Sequence, residues 1–420
     1  MEILYILLVL LAVTRTFGEL AVRLNQPALV GELISGIGLG LLVRHNPDWF
    51  PVLAHLDQNP VFTAITDLGI FFLMLMAGLE LRPTDIVKTS GMSLVIALCG
   101  LVLPLAGGFA LAWAYLPDSQ VRVAQATFVG TALAITAVPV AVRVLMDLGQ
   151  LNTRAGKVVV SAAVFDDVLS LGLMAVLVAM LNTGRLPGWE GMAMLAGRIV
   201  LFFGITVAVG HYLLPWVGRW VRKLLSDEFE FTALLLVALA FGVLAEQMHL
   251  HFILGAFVAG LFFGQNTVGP EHFEGVQKRV SGITVGFLAP IFFASIGFHL
   301  HLGALWSVPV FAVLLVLLAF FSKLIGAGVP AFLMGLPART AASIGVAMSA
   351  RGAVELVIAD LALRSGLLDQ PEPVPPIVAS LFSCVVIVAI LTTLATPIIL
   401  RVLMGPKRTS ASTDDQTLSE

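Results

Sequence analysis

Two adjacent carboxylates, Asp166 and Asp167, sit in the apolar run from Ser161 to Ser170. A pair of acids can hold a proton or a hard cation in turn. A carboxylate at mid-bilayer depth costs about 2.5 to 3.5 kcal/mol on insertion scales, so a pair without a task is costly. Neighbouring residues of a helix point about 100° apart, so one acid can pair while the other binds. Lys323, in the run Phe320 to Gly326, is the one lysine buried deep in a predicted span and is the natural partner for one of them. A static salt bridge, or an ammonium snorkelling to the interface, is the competing reading. The nearest predicted helix end lies roughly ten residues away, about 15 Å of helix rise, which opposes snorkelling.

A second charged island lies in the run Met348 to Leu356. Arg351 and Glu355 are spaced i,i+4 and can neutralise one another on one face. In the other reading Gly352 unwinds the helix, and the two charges compensate the exposed half-helix ends. Thr136 precedes Pro139 by three residues, and the proline ring cannot donate to the carbonyl of residue 135. A carbonyl and a hydroxyl are thereby left for a desolvated ion. Carboxylate, hydroxyl and backbone carbonyl are the ligands of a hard monovalent cation, whereas an anion needs basic groups to dominate. The chain carries no P-loop, no Cys or His pair at metal-ligand spacing in its apolar runs and no nucleophile motif. It reads as a gradient-driven transporter rather than an enzyme, with no cofactor.

The elements that must position these residues are membrane helices. Of 420 residues, 59% are hydrophobic and 12% charged, about half the charge expected of a soluble domain. At about 20 residues per crossing, the chain has room for roughly a dozen spans. Hydropathy gives thirteen candidates: 2–23, 28–43, 61–80, 91–115, 121–146, 155–181, 191–222, 230–247, 251–265, 281–299, 303–334, 339–364 and 375–402. The stretch 230–265 is split only at Glu246 to His249, and the bias of Lys and Arg toward one side of the membrane favours the split. That bias places the N-terminus outside and the C-terminus, with a polar disordered tail over 403–420, in the cytoplasm. The fifth and twelfth spans are both interrupted, and seven steps apart they run in opposite directions. This is the layout of an inverted repeat with two discontinuous crossing helices, with the seventh span as linker. Cys99 and Cys384 lie in apolar runs and are expected to stay free. His249, His251, His299 and His301 fall on the predicted outer face, as pH-sensing groups or as ordinary interfacial residues. Arg15 and Glu19 are expected to pair, and Asp67 and Glu80 to face the interfaces.

Several strings carry a resemblance: Gln26 to Leu33, Met76 to Leu81, Arg143 to Gly149, Phe165-Asp166-Asp167, and Arg351 to Leu356. Together, over about residues 20 to 400, the chain resembles the monovalent cation:proton antiporter-2 family, of Kef and Nap type. The resemblance implies an all-α polytopic fold of thirteen transmembrane helices. It implies a dimerisation or scaffold domain at 1–90 and 230–302, and a mobile ion-binding core at 91–190 and 303–402, with 191–229 the linker helix. It also implies a homodimer in the inner (plasma) membrane. By position, Asp167 resembles the cation- and proton-binding aspartate, Asp166 its neighbour in the double-aspartate subgroup, and Lys323 the lysine paired with Asp166. Thr136 matches the threonine of the unwound fifth helix and joins Asp167 as a cation ligand; Pro139, Arg351, Gly352 and Glu355 support the broken helices.

Ala137 stands where many members have serine and Pro139 where many have glycine, so Ile135 to Pro139 looks more like the plant-type branch. No nucleotide-binding regulatory domain and no nucleic-acid partner are expected in this chain, which argues against nucleotide-gated potassium efflux. The expected function is exchange of a monovalent cation, sodium before lithium or potassium, for protons by alternating access, with electrogenic transport. Two other readings stand beside it: a sodium-coupled organic-anion symporter of similar fold, and a non-transporting membrane sensor or subunit.

Overall fold

The computed structural model describes residues 2–54, 56, 59–80, 91–136, 145, 150, 153–183, 189–213, 228–263, 269–300 and 302–404. Every regular element among them is a helix. We number the main ones α1 (Glu2–Arg23), α2 (Ala28–His45), α3 (Pro60–Glu80), α4 (Gly91–Tyr115), α5 (Arg122–Ala134), α6 (Arg154–Thr183), α7 (Trp189–Ala208), α8 (Glu228–Gln247), α9 (Phe252–Phe262), α10 (Pro270–Ile283), α11 (Ala289–His299), α12 (Pro309–Leu333), α13 (Ala338–Ala347), α14 (Ala353–Arg364) and α15 (Pro376–Met404). A π-helical turn, Thr284–Leu288, joins α10 to α11, and another, Val209–Leu213, extends α7. Ten of the described helices are long and apolar enough to cross a membrane. In lipid only helices and closed barrels satisfy every backbone group, and this chain uses helices.

The stretch 230–265 divides as the charge bias requires, α8 and α9 being separated by a turn in which His249 takes a left-handed φ of 61°. Three boundaries differ from the hydropathy reading. α10 begins at Pro270, well before position 281, because its opening turns carry Glu271, Glu274, Lys278 and Arg279 and are invisible to a search for apolar runs. The candidate 303–334 splits at Val308, since Pro309 starts α12 afresh at its first position. The fifth candidate stops being helical at Ala134, where Ile135 turns extended (φ −73°, ψ 142°). Pro139 lies outside the described residues.

Lipid tails offer helices no hydrophobic incentive to associate, so close packing through small residues has to hold the bundle. α2 and α11 cross where a side chain on Gly36 or Gly297 would strike the other helix's backbone, and α3 and α9 cross likewise at Gly78 and Gly260. α4 and α12 cross at Gly326, where a Cβ would lie 2.7 Å from the Cys99 carbonyl. These crossings sort the helices. α1, α2, α3, α8, α9, α10 and α11 pack on one another; α4, α5, α6, α12, α13 and α15 form a second group, in which α12 touches α4, α13 and α15. α14 packs on α5 and α15 and reaches across to α3.

Candidate functional site

Within the second group, α5 ends and α13 breaks from α14 side by side. From Met348 to Gly352 the chain leaves the helix, Gly352 being fully extended (φ −164°, ψ −154°), and α14 restarts at Ala353. Two helix C-termini and one helix N-terminus are therefore exposed inside the protein. Side chains satisfy them. Arg351 donates through one terminal nitrogen to the carbonyls of Ala132 and Ile135, both at 2.7 Å, placing a cation on the C-terminal end of α5. Glu355 lies in the first turn of α14, where a negative charge is favoured, and its carboxylate is 3.9 Å from the Arg351 Nε. Thr393 of α15 donates to the Arg351 carbonyl at 2.9 Å and fixes the break from the far side.

The acidic pair lies beside this junction. Asp166 and Lys323 are wholly buried, and the Lys323 ammonium lies 3.2 Å and 3.4 Å from the two Asp166 oxygens. The lysine does not snorkel. It also donates to the Thr136 hydroxyl at 2.6 Å, and that hydroxyl donates in turn to the Met348 carbonyl at 3.2 Å. A single chain thus runs from α6 through α12 to both interrupted segments. The Thr136 hydroxyl, expected from sequence to be open for a cation, is held by the lysine in this structure. Asp167 occupies the next position of α6 but points elsewhere: it is half-buried, and it interacts electrostatically with Asp166, Lys323 and Glu80.

Of the residues singled out from sequence, the structure brings Asp166, Lys323, Thr136, Arg351, Gly352 and Glu355 together and sets Asp167 at their edge. Sequence reasoning set Glu80 at an interface, and it is exposed at the C-terminal end of α3, but missed that Asp167 lies in its field. It also missed Gln125, which is buried and ties α5 to the carbonyls of Leu367 and Gln370 at 2.9 Å and 2.7 Å. The expected Arg15–Glu19 pair does not form. Glu19 instead pairs with Arg23 at 3.0 Å, while Arg15 reaches the buried Glu32 of α2 at 3.5 Å. Glu19 is spaced four from either arginine, and Glu32, with little water around it, draws the nearer one.

A buried lysine–aspartate pair beside a freer aspartate, between the end of one helix and the break in another, is the arrangement of an ion-coupled carrier. The family model described as sodium/hydrogen exchanger, transmembrane, matches residues 6–404. The chain belongs to this family. It is therefore a multi-pass membrane transporter, not an enzyme, and it exchanges a monovalent cation for protons. It is 33% identical to the Na(+)/H(+)-K(+) antiporter GerN of Bacillus cereus over 96% of each chain. It is 26% identical to a Na(+)/H(+) antiporter of Enterococcus hirae over 96% of this chain and 98% of the other. Its fold is similar to that of the sodium proton antiporter MjNhaP1 from Methanocaldococcus jannaschii, with a TM-score of 0.70 over 96% of this chain and 97% of the other, at 16% identity.

Proposed function

We propose that this exchanger moves sodium against protons by alternating access, with Asp167 as the carrier site and Asp166–Lys323 as a second, proton-operated pair. Asp167 binds one sodium ion or one proton. When Asp166 takes up a proton, Lys323 is released from it; when sodium binds at Asp167, Asp166 gives up that proton and takes the lysine back, and the Thr136 hydroxyl offers the sodium its remaining lone pair beside the ammonium. The balance is simple: the sodium-loaded site holds two carboxylates, one ammonium and one sodium ion and is neutral, whereas the doubly protonated site carries the ammonium charge. Two protons therefore move per sodium ion, and transport is electrogenic.

The observation that carries this reading is the buried contact of Lys323 with both Asp166 and Thr136, an ammonium that a proton on Asp166 would displace. The wider reading stands beside it. The chain is a thirteen-span, antiporter-2-type member of Kef and Nap kind, with its N-terminus outside the plasma membrane and its C-terminus in the cytoplasm. Residues 91–190 and 303–402 move as a core against a dimerising scaffold at 1–90 and 230–302, with inverted symmetry relating the two broken helices. In support, the glycine-mediated crossings fall within these two groups of helices. The carboxylate and hydroxyl oxygens of the site suit a hard monovalent cation, which we read as sodium.

The test is cation-induced dequenching of an internal pH dye in proteoliposomes. Sodium should relieve quenching in the wild type, an imposed membrane potential should change the rate, and Asp167→Asn should abolish the signal. Full activity in Asp167→Asn would remove the carrier role, and a rate indifferent to potential would remove the two-proton stoichiometry.

A further inference from the structure

A cavity of 540 Å³ opens on the face where α3 begins and α14 ends. One wall carries Asp67 of α3 and the turn between α8 and α9; the opposite wall carries Val178 of α6 and Asp360 with Arg364 of α14. The cavity thus lies between the two groups of helices, on the same side of α6 as its C-terminal end. Val178 is eleven positions beyond Asp167, about 16 Å along the helix, so the cavity stops well short of the acidic pair. Ser170, one turn from Asp166 and Asp167 in the direction of the cavity, is 3% exposed, and its hydroxyl has no hydrogen-bond partner. The route between is closed.

What spans the cavity is Arg364. Its guanidinium lies 2.6 Å from Asp67 and donates to the Thr66 hydroxyl at 3.0 Å, both on α3, while its Nε lies 2.7 Å from Asp360 one turn back on α14. The Arg15–Glu32 pair stays within α1 and α2, and Lys323–Asp166 within α12 and α6. Arg364–Asp67 crosses from one group to the other. The pair is also of the right strength for a contact that must open, because Arg364 and Asp67 are 32% and 47% exposed. Pairs so exposed bias an equilibrium a few-fold rather than by orders of magnitude. Asp360, only 3% exposed, keeps the guanidinium on α14 when α3 lets go.

We propose that Arg364 is a latch: a positioning residue that clasps α14 to α3 and holds shut the path from this cavity to Asp166 and Asp167. The inference rests on the reading above in which α6 and α14 move together against α3. It assigns Arg364 and Asp67 to the balance between open and closed access, not to ion binding.

Two reporters test it in a Cys99→Ala/Cys384→Ala background, Ser170→Cys behind the closure and Val178→Cys in the cavity wall. Each is labelled with a membrane-impermeant maleimide added to one side of sealed vesicles at a time. Arg364→Gln and Asp67→Asn should each raise the ratio of Ser170→Cys to Val178→Cys labelling about twofold to fivefold. The double variant should go no further, and Arg364→Lys should keep part of the closure. An unchanged ratio, or effects that multiply in the double variant, would overturn the latch. With Arg364 intact, sodium or pH should also alter the ratio. A ratio deaf to ions defeats the moving core and the latch together, whereas an ion-sensitive ratio indifferent to Arg364 and Asp67 defeats the latch alone. Val178→Cys independently reports which compartment the cavity faces.

Discussion

Lys323 and Asp166 meet with neither side chain exposed, whereas Arg364 and Asp67 meet with a third to a half of each in contact with solvent. Both are ion pairs between helices distant in sequence, yet they obey different physics. In the buried cluster the charges have lost water and must be answered by protein groups: carboxylate to ammonium, ammonium to hydroxyl, guanidinium to the orphan carbonyls of a helix end. Removing any one strands the next. In the exposed cluster, water stands ready to replace each partner, so the contact can be made and broken at low cost. A carrier needs both kinds. The first keeps a charge in the membrane until a proton or cation exchanges for it, and the second lets the structure change which side it presents.

The sharpest way to break this comparison is to delete one buried charge. Lys323→Met leaves the Asp166 carboxylate unmatched and should cost about 3 to 5 kcal/mol, seen as a large fall in the melting temperature of the purified transporter. Asp166→Asn/Lys323→Met should regain most of that stability, because a buried pair replaced on both sides is close to neutral. Exchange should not return to its wild-type stoichiometry, since the lysine-for-proton step is gone. Equal losses in the single and double variants would show that the pair is not coupled as its 3.2 Å contact implies.

Next in size is Arg351. Its replacement by Met uncovers the Ala132 and Ile135 carbonyls in a water-poor interior and leaves Glu355 without its neighbouring cation. Each unsatisfied buried group costs about 1 to 3 kcal/mol, so the loss should approach that of Lys323→Met. Adding Glu355→Gln should restore part of it. A loss no larger than that of an exposed pair would erase the distinction between the regions at this residue.

How much of this was legible in the sequence follows the same divide. Asp166, Asp167, Lys323 and Arg351 announced themselves because a charge in the middle of an apolar run is costly and needs a partner or a task, and Gly352 marked the break beside them. Arg364 and Asp67 did not, for charges near the ends of spans are ordinary and 297 positions separate them. The Arg15–Glu19 expectation failed where helical spacing allowed two partners and only the position of Glu32 could choose. The first turns of α10 escaped because they are amphipathic. What Thr136 does in this state, holding a lysine instead of waiting for an ion, depends on a contact made between breaks 212 residues apart.

A smaller effect sharpens the exposed side. Asp67→Asn, which breaks only the exposed contact and leaves Arg364 on Asp360, should cost no more than about 1 kcal/mol, and the difference from wild type should shrink as salt rises from about 0.01 M to 1 M. The Lys323→Met loss should hardly respond to the same change, since buried pairs are screened much less. Matching salt dependence in the two variants would contradict the burial assigned to one of them.

The smallest effect belongs to His251, on the wall of the Arg364 cavity and at the start of α9. Its ring accepts a long hydrogen bond, 3.5 Å, from the Ile253 N–H, which only a neutral imidazole can do. Burial pushes its pKa down from 6.5 to about 4. Below pH 6.5 the unfolded chain takes up a proton that the folded ring declines, so folding stability should decline as pH falls from about 6.5 to about 4 and then level off. His251→Asn keeps a capping acceptor and removes the titration. Its melting temperature should therefore fall less than that of the wild type between pH 7 and pH 5, while the pH profile of exchange stays where it was, the ring being neutral across the range in which exchange is assayed. A shifted exchange profile would make His251 a pH sensor and place regulation in the exposed cluster; an unchanged melting difference would mean that water reaches the ring.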